Sequence, residues 1–379
     1  MHIVIVGGGS VGSSTAYHLA SRPDFKGTVT VIERDPTYRI ASSSLSASSI
    51  RMQFSTPVCI AMSQYGWDFL AAMPEAGLKQ RAYLFLATAA GVDVLRENHA
   101  VQTACGANIS LLNPAAIRAR FPWMHTDDIA LGAVGESHEG WFDGPGLLAE
   151  LRRRARALGV NYVAQDASGF RQTAGRITGV HLADGTCLPA DAVVNAGGPW
   201  AARIGSWAGI DLPVRARKRM IYVVDCREAL PNCPLVVDPS GIFFRPEGQV
   251  FLSGRSPGEG EPDPDEPPLE VEEDMYHDHV WPALANRVPA FEAIKIQSSW
   301  AGYYEYNTFD QNGIIGRHPS CANLVFANGF SGHGIQHSPA TGRGVAELLL
   351  DGRFTTLDMA ELGFERVIAN RPLVEKNIV

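Results

Sequence analysis

His2-Ile-Val-Ile-Val6, Gly7-Gly-Gly-Ser-Val-Gly12, the stretch Ser13 to Ala20 and Thr28-Val-Thr-Val-Ile-Glu33 decide the reading of this chain. The first run is short, apolar and β-branched, as expected of a strand buried on both faces of a parallel sheet. The glycines stand at G-x-G-x-x-G spacing between that strand and a helical stretch. The first allows a tight turn, the second lets a pyrophosphate approach the backbone, and the third lets helix and strand pack closely. A helix starting here presents unpaired N–H groups and a positive dipole end to phosphates. Glu33 ends the second strand, where a carboxylate can accept hydrogen bonds from ribose hydroxyls. Strand, glycine loop, helix and terminal acid together predict a Rossmann-like dinucleotide site.

Two further strand-to-loop turns narrow the choice. Ala192-Val-Val-Asn-Ala196 runs into Gly197-Gly198-Pro199-Trp200, and Asn323-Leu-Val-Phe-Ala327 runs into Gly329-Phe-Ser-Gly-His-Gly334. A nicotinamide cofactor needs only the first turn. FAD is longer, and backbone donors of the 329–334 loop suit the pyrimidine edge of its ring, where reduction places negative charge. FAD is therefore the expected cofactor. After that loop, Ser338 is read as an N-cap, Pro339 as the first helical residue and Gly352 as the stop.

The intervening chain has a different texture. Arg81 to Thr88, Met220 to Asp225, Ile242 to Arg245 and Gln249 to Ser253 read as strands, and Asn113 caps a short helix beginning at Pro114. The expected fold class is α/β: a Rossmann-like FAD-binding domain with an inserted α+β substrate domain on a mostly antiparallel sheet. Residues 1–77, 142–210 and 309–379 are assigned to the first, and 78–141 and 211–308 to the second. The stretch from Glu259 to Asp274, dense in Pro, Asp and Glu, reads as an exposed loop leading into a helix.

Composition excludes several classes. A formal net charge of -8 argues against nucleic acid as a partner; the basic run Arg152, Arg153, Arg154 and Arg156 reads as the solvated face of a helix. No apolar run is long enough for a membrane span, and with a strand read from His2 no targeting leader is expected. The six cysteines lack CxxC spacing and the lone pair His277 and His279 lacks further ligands, so no metal site is expected and a reducing cytoplasm is the expected compartment.

These motifs, with Ser49-Ile-Arg51, Gly140-Trp-Phe-Asp-Gly-Pro145, Val194-Asn-Ala-Gly-Gly-Pro-Trp200 and Gly329-Phe-Ser-Gly-His-Gly-Ile-Gln336, resemble the D-amino-acid oxidase-like flavoprotein family in order and along nearly the whole chain. The likeness lies with the sarcosine oxidase and dimethylglycine or sarcosine dehydrogenase branch and the FAD-dependent oxidoreductase domain group. The resemblance implies a substrate lying over one flavin face. It implies cofactor contacts from Gly7, Gly9, Ser10, Val11 and Gly12; from Glu33 and Arg34 at the adenosine; and from Ser42, Ser43 and Ser44 beside the flavin. It adds Ala167 near adenine, then Ala196, Gly197, Gly198, Gly329, Ser331, Gly332, His333, Gly334, Ile335 and Gln336.

On the substrate side the resemblance implies Arg51, His333, Gln336 and Tyr303. Arg51 stands where relatives grip a carboxylate, a task suited to a bidentate guanidinium. Tyr303 aligns with the cysteine that attaches flavin in sarcosine oxidases, so non-covalent FAD is expected. Gln336 aligns with a carboxylate-holding lysine there, and Phe251 with a lysine that promotes oxygen reduction; Arg245 or Arg255 is an alternative source of that charge. Of Tyr303, Tyr304 and Tyr306, one is expected in the pocket and the others in sheet packing. The expected activity is oxidation of a small amine or amino acid, secondary or N-methyl, by hydride transfer to the flavin, with oxygen or another acceptor. The alternatives are oxidation of a 2-hydroxy acid and a non-catalytic FAD-containing assembly protein.

Overall fold

The computed structural model describes residues 1–258 and 260–377. His2–Val6 lies fourth in a six-stranded sheet ordered Ile314–His318, Cys321–Asn328, Ala192–Asn195, His2–Val6, Thr28–Glu33, Asn161–Ala164. All neighbours run parallel except Ile314–His318, which turns back against Cys321–Asn328. The central strand has Ile3, Val4 and Ile5 fully buried, as a strand covered on both faces requires. Because the strands are parallel, the turns after Val6, Glu33, Asn195 and Asn328 emerge at one edge, where open α/β sheets bind ligands.

The helix Ser10–Ala20 and the helix Gly334–Leu350 cover one face, sharing an apolar core that includes Val11, Leu19, Ala340 and Val345. The other face is covered by an antiparallel meander, Ala167–Thr173, Arg176–Leu182 and Cys187–Pro189, through Val180 and Leu182.

The second sheet has eight strands, ordered Lys295–Asn307, Val214–Asp225, Val250–Arg255, Ile242–Glu247, Leu235–Val237, Tyr83–Ala87, Leu131–Gly135, Ile109–Leu112. It is antiparallel except where Leu235–Val237 meets Tyr83–Ala87. A small sheet pairs Gly140–Trp141 with both Ser49–Ile50 and Lys79–Gln80, bringing two distant motifs together beside Arg51.

Two local expectations are corrected. The strand read from Met220 begins at Val214, because its first half pairs with residues 302–307 of the long strand Lys295–Asn307, Arg217 standing opposite Tyr304. The helix expected to start at Ser338 starts instead at Gly334, with Pro339 inside it. The ring removes the N–H that would reach Ile335, and the Ser338 hydroxyl donates to the Ile335 carbonyl at 2.8 Å in its place.

Other local readings hold or need adjustment. Asn113 caps its helix as expected, accepting from the Ala116 N–H at 2.9 Å. The acidic, proline-dense stretch is mostly exposed and leads into a helical turn at Glu273; Glu259 at its start lies outside the described residues. The arginine run lies on the solvent face of its helix as expected, with Arg153 and Arg156 exposed and Arg152 and Arg154 half-buried. Arg152 lies 4.2 Å over the Tyr38 ring and Arg156 4.9 Å over Tyr162, while Arg153 and Arg154 pair with Glu150. His277 and His279 are both exposed.

Candidate active site

A cleft enclosing about 1180 Å³ up to its open mouth runs along the carboxyl edge of the six-stranded sheet. Gln165, Asp166, Ala167, Glu33 and Arg34 line one end, Gly7, Gly9, Ser10 and Val11 the middle with Ser42, Ser43, Ala196, Gly197 and Gly198, and Tyr304, Glu305, Gly332, Gly334 and Ile335 the other end.

Local chemistry shapes each part. Gly7 has a φ of 103° and a Cβ there would lie 2.2 Å from the Ala196 carbonyl oxygen, so only glycine makes this turn. A Cβ on Gly12 would lie 1.9 Å from the Gly7 oxygen, so Gly12 serves packing beneath the cleft rather than lining it. A Cβ on Gly9 would meet only Ser43 Oγ, at 3.3 Å, and would stand in the space a pyrophosphate needs. Glu33 is held by the N–H groups of Gly8 at 2.8 Å and Asp35 at 2.9 Å, and burial pushes its carboxyl above the usual range. Ser43 Oγ accepts from the Ser10 N–H at 2.9 Å, which satisfies one of the free donors at the helix start. These residues fit a long dinucleotide: an acid for ribose, a glycine-lined middle and a broad far end.

A second, half-open cavity, about 490 Å³ up to its mouth, lies beside that far end and shares Ser46, Tyr304, Gly332 and Ile335 with the cleft. Arg51, Ser331, His333 and Gln336 line it, together with Tyr83, Leu235 and Phe243. Arg51 is 5% exposed and ringed by Phe54 at 4.6 Å, Phe85 at 5.5 Å and Tyr83 at 5.9 Å. One guanidinium nitrogen donates to the Asn377 carbonyl; Nε has no partner, and no carboxylate forms an ion pair with Arg51 among the described residues. Glu139 steers the neighbouring backbone, accepting from Met52 N–H at 2.7 Å and Gln53 Nε2 at 2.9 Å; burial pushes its carboxyl up to about 7.

Tyr303 lies in neither cavity. Its hydroxyl donates to the Pro267 carbonyl and its ring meets Trp200 edge-on at 5.9 Å. Alternation along the strand turns Tyr304 to the other face, into both cavities. Ser44 and Gly329 also stand outside both cavities; Gly329 instead donates its N–H to Glu305 at 3.0 Å. Phe251 packs on Phe291 at 5.1 Å in the core of the second sheet. Of the alternative cations, Arg245 reaches the Ala47 carbonyl at 2.7 Å and Arg255 pairs with Glu261 at 2.6 Å. Sequence reasoning passed over Glu305, Tyr83, Leu235 and Phe243, and it did not find Arg34 stacked 3.6 Å over the Trp200 ring.

Behind the smaller cavity, Cys59, His333 and His337 bring their donor atoms within 4.8 Å of one another, all buried. Cys59 donates to Asn312 Oδ1 at 2.9 Å and His337 contacts Ser63 Oγ at 3.0 Å. Burial pushes the thiol up and both imidazoles down, His337 to about 3, and the nearby Arg51 charge adds to the effect on the histidines. The cluster is therefore held neutral.

Residues 2–348 match the family described as FAD dependent oxidoreductase. FAD-dependent oxidoreductase domain-containing protein 1 of Xenopus laevis is 42% identical, over 100% of this chain and 84% of that protein. The mitochondrial sarcosine dehydrogenase of Homo sapiens is 26% identical over 93% of this chain and 40% of its own length. The crystal structure of L-proline dehydrogenase from P. horikoshii superposes with a TM-score of 0.87 at 24% identity, covering 98% of both chains. With a matching family over most of its length and a cleft shaped for the cofactor, the chain belongs to the FAD-dependent oxidoreductases and uses FAD.

Proposed function

We propose that this protein oxidises a small secondary or N-methyl amine bearing a carboxylate. The observation that carries the reading is Arg51: a buried guanidinium without an ion-pair partner among the described residues, lining a cavity that opens onto the far end of the cofactor cleft. A buried cation is costly unless an anion meets it, and a substrate carboxylate supplies one with bidentate geometry. Leu235 and Phe243 offer an apolar wall for the carbon skeleton. The buried positive charge of Arg51 also disfavours an ammonium ion beside it, which favours the free base that hydride release requires.

FAD, when bound, accepts the hydride. The chain's own part is to orient the donor carbon and exclude water. Among relatives, sarcosine dehydrogenase and L-proline dehydrogenase are named for secondary amino acids, which agrees with this substrate class. Tyr303 at the aligned position, and the absence of any cysteine among the described residues lining the cleft, support non-covalent FAD. Six unpaired cysteines suit the reducing cytoplasm; no helix among the described residues is long and apolar enough to cross a membrane.

The test is anaerobic mixing with a panel of N-methyl amino acids, cyclic imino acids and 2-hydroxy acids, followed at the flavin absorbance. Bleaching by the amines supports the reading. Bleaching by hydroxy acids alone overturns it and favours oxidation of a 2-hydroxy acid, whose carboxylate Arg51 could equally meet.

A further inference from the structure

Glu305 is the one carboxyl at the far end of the cofactor cleft among the described residues. Its strand places it beside the 329–334 loop, and its side chain accepts hydrogen bonds from the N–H groups of Gly329, at 3.0 Å, and Phe330. A Cβ built on Gly334 would lie 3.1 Å from its Oε1, so the carboxyl also borders the start of the Gly334–Leu350 helix.

The cations nearby are engaged elsewhere. On the paired strand, Arg215 turns to Asp265, and Arg217 to Asp263 and Asp265. His333, in the loop, is neutral, and Tyr304 and Tyr306 flank Glu305 on its own strand. The short segments Ser42–Leu45 and Gly198–Trp200, packed against that strand, carry no titratable side chain. With two amide donors and, among the described residues, no cation paired to it, the carboxyl is pushed up to about 8 by loss of water.

With FAD bound, the N–H groups of the same loop would supply positive potential to the reduced ring, whose negative charge collects at its pyrimidine edge. A carboxylate and a reduced ring would compete for that potential and repel each other. We propose that Glu305 is a proton-carrying partner of the flavin in alkaline solution, where it is ionised while the ring is oxidised: its carboxylate would bind one proton from water as the ring is reduced and release it on reoxidation. The ring receives two electrons and one proton as hydride; separately, one O–H bond forms on Glu305, and no bond to carbon changes there. Glu305 is thus a positioning and charge-balancing residue. The inference rests on bound FAD and not on the identity of the amine.

The test is a redox titration of the purified holoenzyme with dithionite and mediators, which needs no amine substrate. Across the alkaline range the midpoint potential of the wild type should fall with pH about twice as steeply as expected for one proton per two electrons. Glu305→Gln should return it to the single slope. Equal slopes in both proteins overturn the proposal. If the variant does not hold FAD, the reduced-minus-oxidised infrared spectrum of the wild type in alkaline solution decides: a gained protonated-carboxyl band supports the proposal, and none overturns it. Failure of the amine panel leaves this outcome untouched, and failure here leaves the amine reading intact.

Discussion

The backbone N–H of Arg51 donates to Gln336 Oε1 at 2.9 Å, across 285 positions of sequence. One residue follows the short Ser49–Ile50 strand and the other sits in the first turn of the Gly334–Leu350 helix. The neutral amide at position 336 therefore holds the backbone of the arginine instead of adding a second positive charge.

Gln336→Ala removes that acceptor and leaves a buried N–H unpaired, at a cost of about 1–3 kcal/mol. The melting temperature of the holoenzyme should fall by several degrees. An unchanged melting temperature would show that the bond contributes nothing.

Arg51→Ala should keep flavin content and raise the KM for a carboxylate-bearing substrate about tenfold to a hundredfold, as loss of a charge-assisted pair implies. Arg51→Lys should recover only part, because an ammonium lacks the planar fork. Kinetics like the wild type in both variants would remove Arg51 from substrate binding.

Two glycines of one loop should respond differently. Gly12→Ala places a Cβ 1.9 Å from backbone and should prevent stable folding. Gly9→Ala meets only Ser43 Oγ at 3.3 Å and should yield folded protein with weak FAD binding. Circular dichroism and flavin-to-protein absorbance ratios separate these outcomes; full flavin content in Gly9→Ala contradicts the pyrophosphate assignment.

Acid should destabilise the protein through buried histidines. His18 is lowered to about 4 and His337 to about 3, both chiefly by burial. A group depressed in the folded state contributes stability above its unfolded value, about 6.5, and that stability is lost as pH falls through the folded value. Thermal melts of the wild type should weaken from about pH 6.5 downward. His337→Gln should weaken less over the same interval; parallel acid limbs would show that His337 does not carry the effect.

The Rossmann-like half was legible because its signals are local. An uninterrupted apolar run through Val6, glycines at fixed spacing and a terminal acid specify a turn whose alternatives clash within a few residues. The substrate side was legible only in part. Tyr303 and Tyr304 are neighbours of like chemistry, and their opposite facing depends on the register of Lys295–Asn307 against Val214–Asp225. Likewise Ser338 and Pro339 resemble a helix start, yet the Ser338 hydroxyl lets the helix begin a turn earlier.

By itself the sequence determined the cofactor class and the two-sheet architecture, from residue type, short spacing and motif order, while Arg51 as a carboxylate partner came only from the family resemblance. Tertiary structure decided which tyrosine reaches the cavity, that Arg51 is buried without a countercharge among the described residues, and that Glu305 stands at the far end of the glycine-loop cleft. Those facts depend on strands and loops hundreds of positions apart meeting at one sheet edge, where burial rather than residue identity sets the charge each group carries.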